Sequence, residues 1–162
     1  MFRKLRLVAA TLAVCAAALV PVAAPASAAT NGRSLFGNAN SGKCLEMPYS
    51  WTHDLAPAGQ YTCHGAPNQQ WYYSTSTGLI QNQNSGKCLE VMYWNNWDGA
   101  AVGQYTCHGG ANQQWNMAPS TGLIQNRFSG KCLEVYGWSI YDFASVVQWT
   151  CHGGRNQVWS WR

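Results

Sequence analysis

The hexapeptide SGKCLE at residues 85–90 reveals an internal repeat, because the same six residues also stand at 41–46 and at 129–134. The tripeptide Cys-His-Gly recurs in the same way, beginning at Cys63, Cys107 and Cys151. Both motifs repeat with a step of 44 residues, so the chain divides into block 1 (31–74), block 2 (75–118) and block 3 (119–162). A period of this length is typical of repeat architectures, in which one unit cannot bury its apolar face alone.

Each block has the local sequence of short β-strands. Runs such as 78–82, 87–91 and 101–105 are bounded by Gly, Asn or Ser, and apolar residues do not recur at helical spacing. Three blocks are too few for a propeller. We therefore predict an all-β fold, a β-trefoil of three 44-residue repeats. The aliphatic residues expected in its core are Leu45, Leu79, Ile80, Leu89, Leu123, Ile124 and Leu133.

Residues 1–28 have the pattern of a secretory signal peptide. Arg3, Lys4 and Arg6 precede an apolar run over 7–20, and the small residues at 26–28 form a cleavage site. The apolar run is shorter than the ~20 residues of a membrane span. The sequence predicts a secreted, extracellular protein with a single mature domain, 29–162, that does not insert into membranes.

Charge narrows the classes of partner. The 162-residue chain has a net charge of +4, with 10% charged and 13% aromatic residues. Without residues 1–28, seven bases and six acids remain, a net charge of +1. Nucleic-acid binding needs clustered Lys and Arg, and none is found. We expect a monomer that binds no nucleic acid and favours a neutral partner.

Six of the seven cysteines lie in the repeats, and an even number in an exported chain indicates disulfides. The repeat symmetry allows pairing within a block or to the next block. We favour pairing within blocks, which joins Cys44–Cys63, Cys88–Cys107 and Cys132–Cys151. A zinc site at Cys63-His64 is the rival, but C-x₂-C spacing is lacking. We expect no metal and no cofactor.

Three motifs together resemble the ricin B-type lectin family, which is also classified as family 13 of the carbohydrate-binding modules of bacterial glycosidases. These motifs are C-L-E, aromatic-x-Cys-His-Gly and Asn-Gln-x-Trp, and the last begins five residues after the second cysteine of every block. The resemblance covers the whole mature chain. It implies a β-trefoil with up to three shallow sugar sites.

Carboxylates are the first candidate site residues. All six acids lie at two repeat positions: Glu46, Glu90 and Glu134, then Asp54, Asp98 and Asp142. A carboxylate accepts strong hydrogen bonds from neighbouring sugar hydroxyls. We predict that the glutamates bind sugar, with pairing to the lysine three residues upstream as the alternative. For the aspartates we favour a role in turns, because Asp98-Gly99 is a common turn sequence.

An aromatic residue two positions before the second cysteine offers a flat apolar face to a pyranose ring, with a core position as the alternative. The Asn of the Asn-Gln-x-Trp motif offers both a hydrogen-bond donor and an acceptor. By the resemblance, the next Gln braces the acid, and the Trp two residues further on lies in the core. With the glutamates, the predicted sugar-binding residues are Tyr61, Asn68, Gln69, Tyr105, Asn112, Gln113, Trp149, Asn156 and Gln157.

The chain departs from the family pattern at three points. Glu replaces the usual Asp, and Gln60, Gln104 and Gln148 stand one position later than the usual Gln, which removes one hydrogen bond from the implied site. The loop after the glutamate is also rich in aromatic residues, either as extra stacking positions or as a cover over the core. The rings proposed for extra stacking are Tyr49, Trp51, Trp94, Trp97 and Trp138.

The sequence therefore predicts a secreted, non-catalytic lectin that binds a polysaccharide or glycan of the galactose or xylose type. A protein-binding trefoil, such as a protease inhibitor, is the alternative, and it would use one loop while the others diverge. A glycosidase with Glu90 and Asp98 as its acid pair is disfavoured, because such a pair needs a deep pocket.

Overall fold

A computed structural model describes residues 32–162 of the chain, and the predicted signal peptide lies outside these residues. The described part consists of short β-strands and single turns of 3₁₀ helix. Block 1 contains strands β1 (Arg33–Ser34), β2 (Phe36–Asn38), β3 (Cys44–Glu46), β4 (Ala56–Pro57), β5 (Gly59–Tyr61) and β6 (Trp71–Tyr73). Block 2 contains β7 (Ile80–Asn82), β8 (Cys88–Val91), β9 (Val102–Tyr105) and β10 (Trp115–Ala118). Block 3 contains β11 (Leu123–Asn126), β12 (Cys132–Val135), β13 (Val146–Trp149) and β14 (Trp159–Trp161).

Each block also carries two 3₁₀ segments at equivalent positions. The first follows the glutamate strand, and the second contains the Asn-Gln pair. In chain order they span Pro48–Ser50, Pro67–Gln69, Met92–Trp94, Ala111–Gln113, Tyr136–Trp138 and Arg155–Gln157.

The strands form three antiparallel sheets, and no sheet stays within one block. Their strand orders are β1-β6-β7-β8-β9-β4, β10-β11-β12-β13 and β14-β2-β3-β5. The third sheet closes the molecule, because the last strand pairs with an early one and sets Trp159 opposite Asn38. The predicted three-fold β-trefoil is confirmed.

One hydrophobic core takes residues from equivalent positions of every block. The repeat tryptophans Trp71, Trp115 and Trp159 are at most 3% exposed, and each indole N–H donates to the carbonyl of the leucine in the SGKCLE motif at 3.0–3.1 Å. A buried indole N–H needs such a partner. The predicted core residues Leu45, Ile80, Leu89, Ile124 and Leu133 are buried as well.

Two core predictions were wrong. Leu79 and Leu123 are only half-buried and line surface grooves. Each precedes a buried isoleucine, Ile80 or Ile124, at the start of a strand. Successive strand residues point to opposite faces, so only one residue of each pair reaches the core.

The three disulfides join Cys44–Cys63, Cys88–Cys107 and Cys132–Cys151, as predicted. Each bond closes a loop within one block, with a separation of 19 residues. Loops of that size stabilise a fold by roughly 3 kcal/mol each in the chain-entropy model. Because Cys63 is bonded to Cys44, its sulfur is not free to bind zinc beside His64.

Buried amides connect the blocks. The Nδ2 atom of Asn82 donates to the carbonyl of Asn68 in the preceding block, and Asn126 and Asn38 make the equivalent bonds. Gln104 is 1% exposed and donates to the carbonyls of Trp51 and His53. These bonds fix the aromatic loop of one block against the next block. Among residues 32–162, no helix has the length and apolarity to cross a membrane.

Candidate functional site

Each block carries one glutamate near the end of the strand that begins with the cysteine of the SGKCLE motif. Glu90 lies at the third position of β8 and pairs across the ladder with Gly103 of β9. A side chain at Gly103 would collide with the Met92 side chain and with the backbone of Ala56, so glycine lets these groups pack against β9. The same ladder pairing holds for Glu46 with Gly59, whereas Glu134 faces Val147. All three glutamates are nearly buried, at 4–5% exposure.

The Gln of the Asn-Gln pair braces this carboxylate. Gln113 is fully buried, and its Nε2 atom donates to Glu90 Oε2 at 2.8 Å and to the carbonyl of Thr106 at 3.0 Å. Its Oε1 atom accepts from the backbone N–H groups of His108 and Gly109. The contact implied by the family resemblance is therefore present, and Gln69 and Gln157 repeat it in the other blocks.

The histidine of the Cys-His-Gly motif is a site residue that the sequence reasoning missed. His108 Nε2 lies 3.1 Å from Glu90 Oε2, while its Nδ1 accepts from the backbone N–H of Gly110 at 3.0 Å. Since Nδ1 is an acceptor, the ring proton is on Nε2, which donates to the carboxylate. His64 and His152 make the same pair of contacts. The 44-residue step at which this histidine recurs could have indicated a site residue, but on sequence grounds it was considered only as a zinc ligand.

Two donors thus hold one oxygen of each glutamate, and no donor from residues 32–162 holds the other. In block 2 they are Gln113 and His108, both on Glu90 Oε2. Oε1 has no donor among residues 32–162 and still reaches solvent. The imidazole beside it is about two-fifths exposed. Each block therefore offers an oriented acceptor and a polar ring at its surface.

The predicted stacking residue is partly exposed and lies beside the carboxylate. Tyr105 pairs with Cys88, two residues before Glu90 on the neighbouring strand, so both side chains point to the same face. Its ring meets the His108 ring edge-on at 5.9 Å. Tyr61 and Trp149 occupy the same ladder positions in blocks 1 and 3, so these residues are not core aromatics.

The Asn of the Asn-Gln pair lies deeper than a ligand contact requires. Asn112 is fully buried, and its Nδ2 donates to the carbonyl of Val91 at 3.2 Å. Asn68 and Asn156 bond in the same way to Met47 and Val135. In this structure the amide anchors the loop that follows the glutamate strand. Sugar contact by these asparagines stays a prediction.

The aromatic loop residues are exposed and do not cover the core. Trp94 and Trp138 are 49% and 51% exposed, and they stack over His108 and His152 with ring centroids 6.5 and 6.0 Å apart. In block 1, Ser50 stands at the equivalent position. Tyr49 stacks there on Phe143 of block 3, and Trp51 packs against Tyr49. Trp97 is 58% exposed.

Backbone strain holds these rings at the surface. Tyr93 and Trp94 both have left-handed dihedrals, with φ of 56° and 55°. Positive φ at a bulky non-glycine residue costs roughly 1–3 kcal/mol and is concentrated at functional sites. Tyr49 with Ser50, and Gly137 with Trp138, repeat the turn.

The aspartates form a separate set that clamps the blocks together. Asp54 Oδ1 accepts from Lys87 Nζ at 2.6 Å and from the backbone N–H of Thr106 at 2.8 Å, both in the next block. Asp98 clamps Lys131 and Thr150, and Asp142 closes the ring on Lys43 and Thr62. The hydrogen bond from Lys87 lowers the pKa of Asp54, and Lys131 and Lys43 do the same to the pKa of Asp98 and Asp142.

These clamps contradict the alternative given for the glutamates and extend the role predicted for the aspartates. The lysines pair with aspartates of the preceding block rather than with the glutamates three residues downstream. The aspartates likewise join neighbouring blocks, beyond the turn role predicted for them. The sequence could not show either contact, because the partners lie 33 residues apart or more.

A cavity of about 440 Å³ lies away from the glutamates, between the β10–β11 hairpin and β14. Its lining, which includes Met117, Pro119, Leu123 and Trp161, contains no charged side chain. Among the described residues, no three His, Cys, Asp or Glu side chains converge to hold a metal ion. The carboxylate, imidazole and aromatic ring of each block therefore lie outside this cavity.

A three-fold β-trefoil with a braced carboxylate, an imidazole and an aromatic ring on every block defines a lectin-type domain. The model of the ricin-type beta-trefoil lectin domain family matches residues 33–159. The chain belongs to this family.

Solved structures agree with that assignment. A designed three-fold symmetric protein, ThreeFoil, is 37% identical with a TM-score of 0.76, covering 80% of this chain and 97% of that one. The exo-beta-1,3-galactanase 1,3Gal43A from Clostridium thermocellum is 34% identical with a TM-score of 0.72, covering 80% of this chain and 29% of that one. The hemolytic lectin CEL-III is 26% identical with a TM-score of 0.69, covering 80% of this chain and 30% of that one. No match was found among curated protein sequences.

Proposed function

We propose that the protein is a secreted, non-catalytic lectin that binds a polysaccharide or glycan through up to three shallow sites. One observation carries the proposal: in every block, His and Gln hold Oε2 of the glutamate and leave Oε1 open beside an aromatic ring. An oriented carboxylate accepts from sugar hydroxyls, and the ring contacts the apolar face of the sugar. The signal-peptide pattern of residues 1–28 supports export.

Similarity to one solved structure supports the choice of sugar class. The galactanase acts on a β-1,3-galactan, and the stretch of it that this chain resembles makes up 29% of its length. At 34% identity this likeness favours galactose-type chains, with xylose-type chains as the second choice. Weak sites on one body reinforce one another when a polymer spans them, so a polysaccharide is favoured over a free monosaccharide.

A binding role is favoured over catalysis because different partners hold the glutamate and the aspartate of each block. Glu90 is held within its own block by His108 and Gln113, while Asp98 is clamped to Lys131 of the next block. A glycosidase needs two carboxyl groups facing one bond. The same chain is proposed to act as a monomer that binds neither nucleic acid nor membranes.

Replacing Glu90, Glu46 and Glu134 together by Gln tests the binding role. The substitution keeps the shape and removes the charge, so we expect retention on insoluble galactan and xylan to fall by roughly tenfold or more. A depletion assay measures retention, and the thermal midpoint is followed in parallel. The matched control replaces Asp54, Asp98 and Asp142 by Asn. Equal retention by the two triple variants would contradict the proposal.

Catalysis and protein binding are tested on the unmodified protein. Incubation with galactan and xylan should release no reducing sugar, and any release that grows with protein concentration would refute the non-catalytic role. A glycan array should show binding to oligosaccharides. Tight protease binding without any glycan binding would favour the inhibitor alternative instead.

A further inference from the structure

The third site differs from the other two at the first residue of its second 3₁₀ segment. Arg155 stands there, where block 1 has Pro67 and block 2 has Ala111. The Arg155 side chain is exposed. A positive charge stands at this repeat position in only one of the three blocks, which points to a ligand that the other two sites do not share.

One turn of block 1 bonds both to the Arg155 guanidinium and to the loop of Trp138. Its Nη2 atom donates to the carbonyl of Ala39 at 2.6 Å. The next residue, Asn40, donates through Nδ2 to the carbonyl of Trp138 at 3.0 Å. Since adjacent Cα atoms lie about 3.8 Å apart, a two-residue stretch holds both the arginine and the loop of Trp138.

The Trp138 ring packs against the residue that precedes Arg155. A Cβ atom built on Gly154 would lie 2.6 Å from Trp138 Cη2, so only glycine allows this approach. The ring is stacked at 21° on His152, which donates to Glu134. The carboxylate, imidazole, indole and guanidinium therefore follow one another along one surface.

The guanidinium lacks an acidic partner. All six carboxylates of residues 32–162 pair with a lysine or a histidine, and none of these pairs involves Arg155. Arg162 Nη1 donates to the carbonyl of Gly42, three residues after Ala39, so a second cation lies beside the same turn of block 1. A guanidinium carries five donors in a planar fork that matches a carboxylate. One N–H binds Ala39, and the others are available to a ligand.

We infer that the third site takes an acidic sugar, a uronic acid residue of a glycan chain. Its hydroxyls face Glu134 and His152, its ring lies against Trp138, and its carboxylate pairs with Arg155. The first and second sites, with Pro67 and Ala111 at this position, take the neutral residue. This inference rests on the proposed function, because it assumes that Glu134 binds sugar hydroxyls.

Paired titrations test the inference. Galacturonate and galactose differ at one carbon, as do glucuronate and glucose, and ¹⁵N spectra report binding at the Trp138 indole and the Arg155 side chain. We expect the uronates to bind the third site about three- to fivefold more tightly than the neutral sugars, the effect of one exposed ion pair. The preference should shrink at 1 M salt, where such pairs are screened.

Variants separate this idea from general charge effects. Arg155→Ala should abolish the preference at the third site and keep neutral sugar binding, while Ala111→Arg should create the preference at the second site. Arg127→Ala, which removes a positive charge bonded to Gln114 in the second block, should leave the preference at the third site unchanged. Equal binding of acid and neutral sugar at the third site, or a preference that survives Arg155→Ala, overturns the inference alone. If no sugar binds at any site, the proposed function fails with it.

Discussion

The two sets of three carboxylates have the same charge and the same 44-residue spacing, yet they have opposite surroundings. Glu90 is 5% exposed and held by two neutral donors of its own block. Asp54 is about one-third exposed and bonded to a lysine and a threonine of the next block. The glutamates therefore keep one open acceptor oxygen, and the aspartates join the blocks.

This difference shows that spacing identifies a repeat position but not its task. A lysine neutralises each aspartate, so little charge is left for a ligand. The imidazole and amide that hold each glutamate orient it and leave the carboxylate available. The partner group determines the role.

The largest effect is expected from removing the brace. Gln113→Leu leaves the N–H groups of His108 and Gly109 without their acceptor and Glu90 with one donor fewer. Unsatisfied buried groups cost about 1–3 kcal/mol each, so the free energy of unfolding should fall by about 3 kcal/mol. Urea denaturation with the disulfides intact measures the change.

The adjacent Gln114 provides the matched control. It is half-buried and donates through Nε2 to the carbonyl of Gly109. Gln114→Leu should lower the free energy of unfolding by less than about 1 kcal/mol. Equal losses in the free energy of unfolding would mean that the hydrogen bonds of Gln113 stabilise the fold no more than those of Gln114.

A smaller effect is expected from breaking one clamp. Asp98→Asn removes the pair with Lys131, and exposed pairs contribute little to stability. The melting temperature should fall by no more than about 3 °C, and sugar affinity at the second site should stay within about twofold. Calorimetry measures both. A loss of binding as large as that from the glutamate substitutions would place the aspartates in the site.

The smallest expected effect is a change of stability with pH, which is specific to the aspartate clamps. The lysine hydrogen bonds lower the pKa of Asp54, Asp98 and Asp142 in the folded state. A lowered folded pKa stabilises the fold above the unfolded value and is lost as pH falls through the folded value. The clamps should therefore act fully above about pH 4 and fade below it.

Melting curves between pH 2 and pH 7 check this response. The difference in melting temperature between the unmodified protein and the triple Asp→Asn variant should be constant above about pH 5 and shrink towards pH 2. A difference that grows on acidification would contradict the pKa direction.

Much of the fold could be predicted because the sequence repeats. The 44-residue step, the turn residues and the cysteine symmetry led to the trefoil and its disulfides. Leu79 and Leu123 were misplaced because the strand boundary, which sets the inward face, depends on pairing with other strands. Neither local composition nor spacing reports that pairing.

The candidate site was predicted in part. The brace between Gln113 and Glu90 was implied by the family resemblance and is present. His108 was missed because its role depends on the Glu90 oxygen 3.1 Å away, 18 residues earlier in the chain. The burial of Asn112 was equally hidden, since its amide faces the carbonyl of Val91.

The repeat number, the strand-rich class and the two sets of acids can be read from residue types at fixed spacing, which also favours the observed disulfide pairs. The braced acid, the clamped acid and the closure of β14 on β2 became apparent only in the folded molecule. These outcomes depend on contacts between distant blocks, where burial and hydrogen-bond partners set the chemistry of each carboxylate.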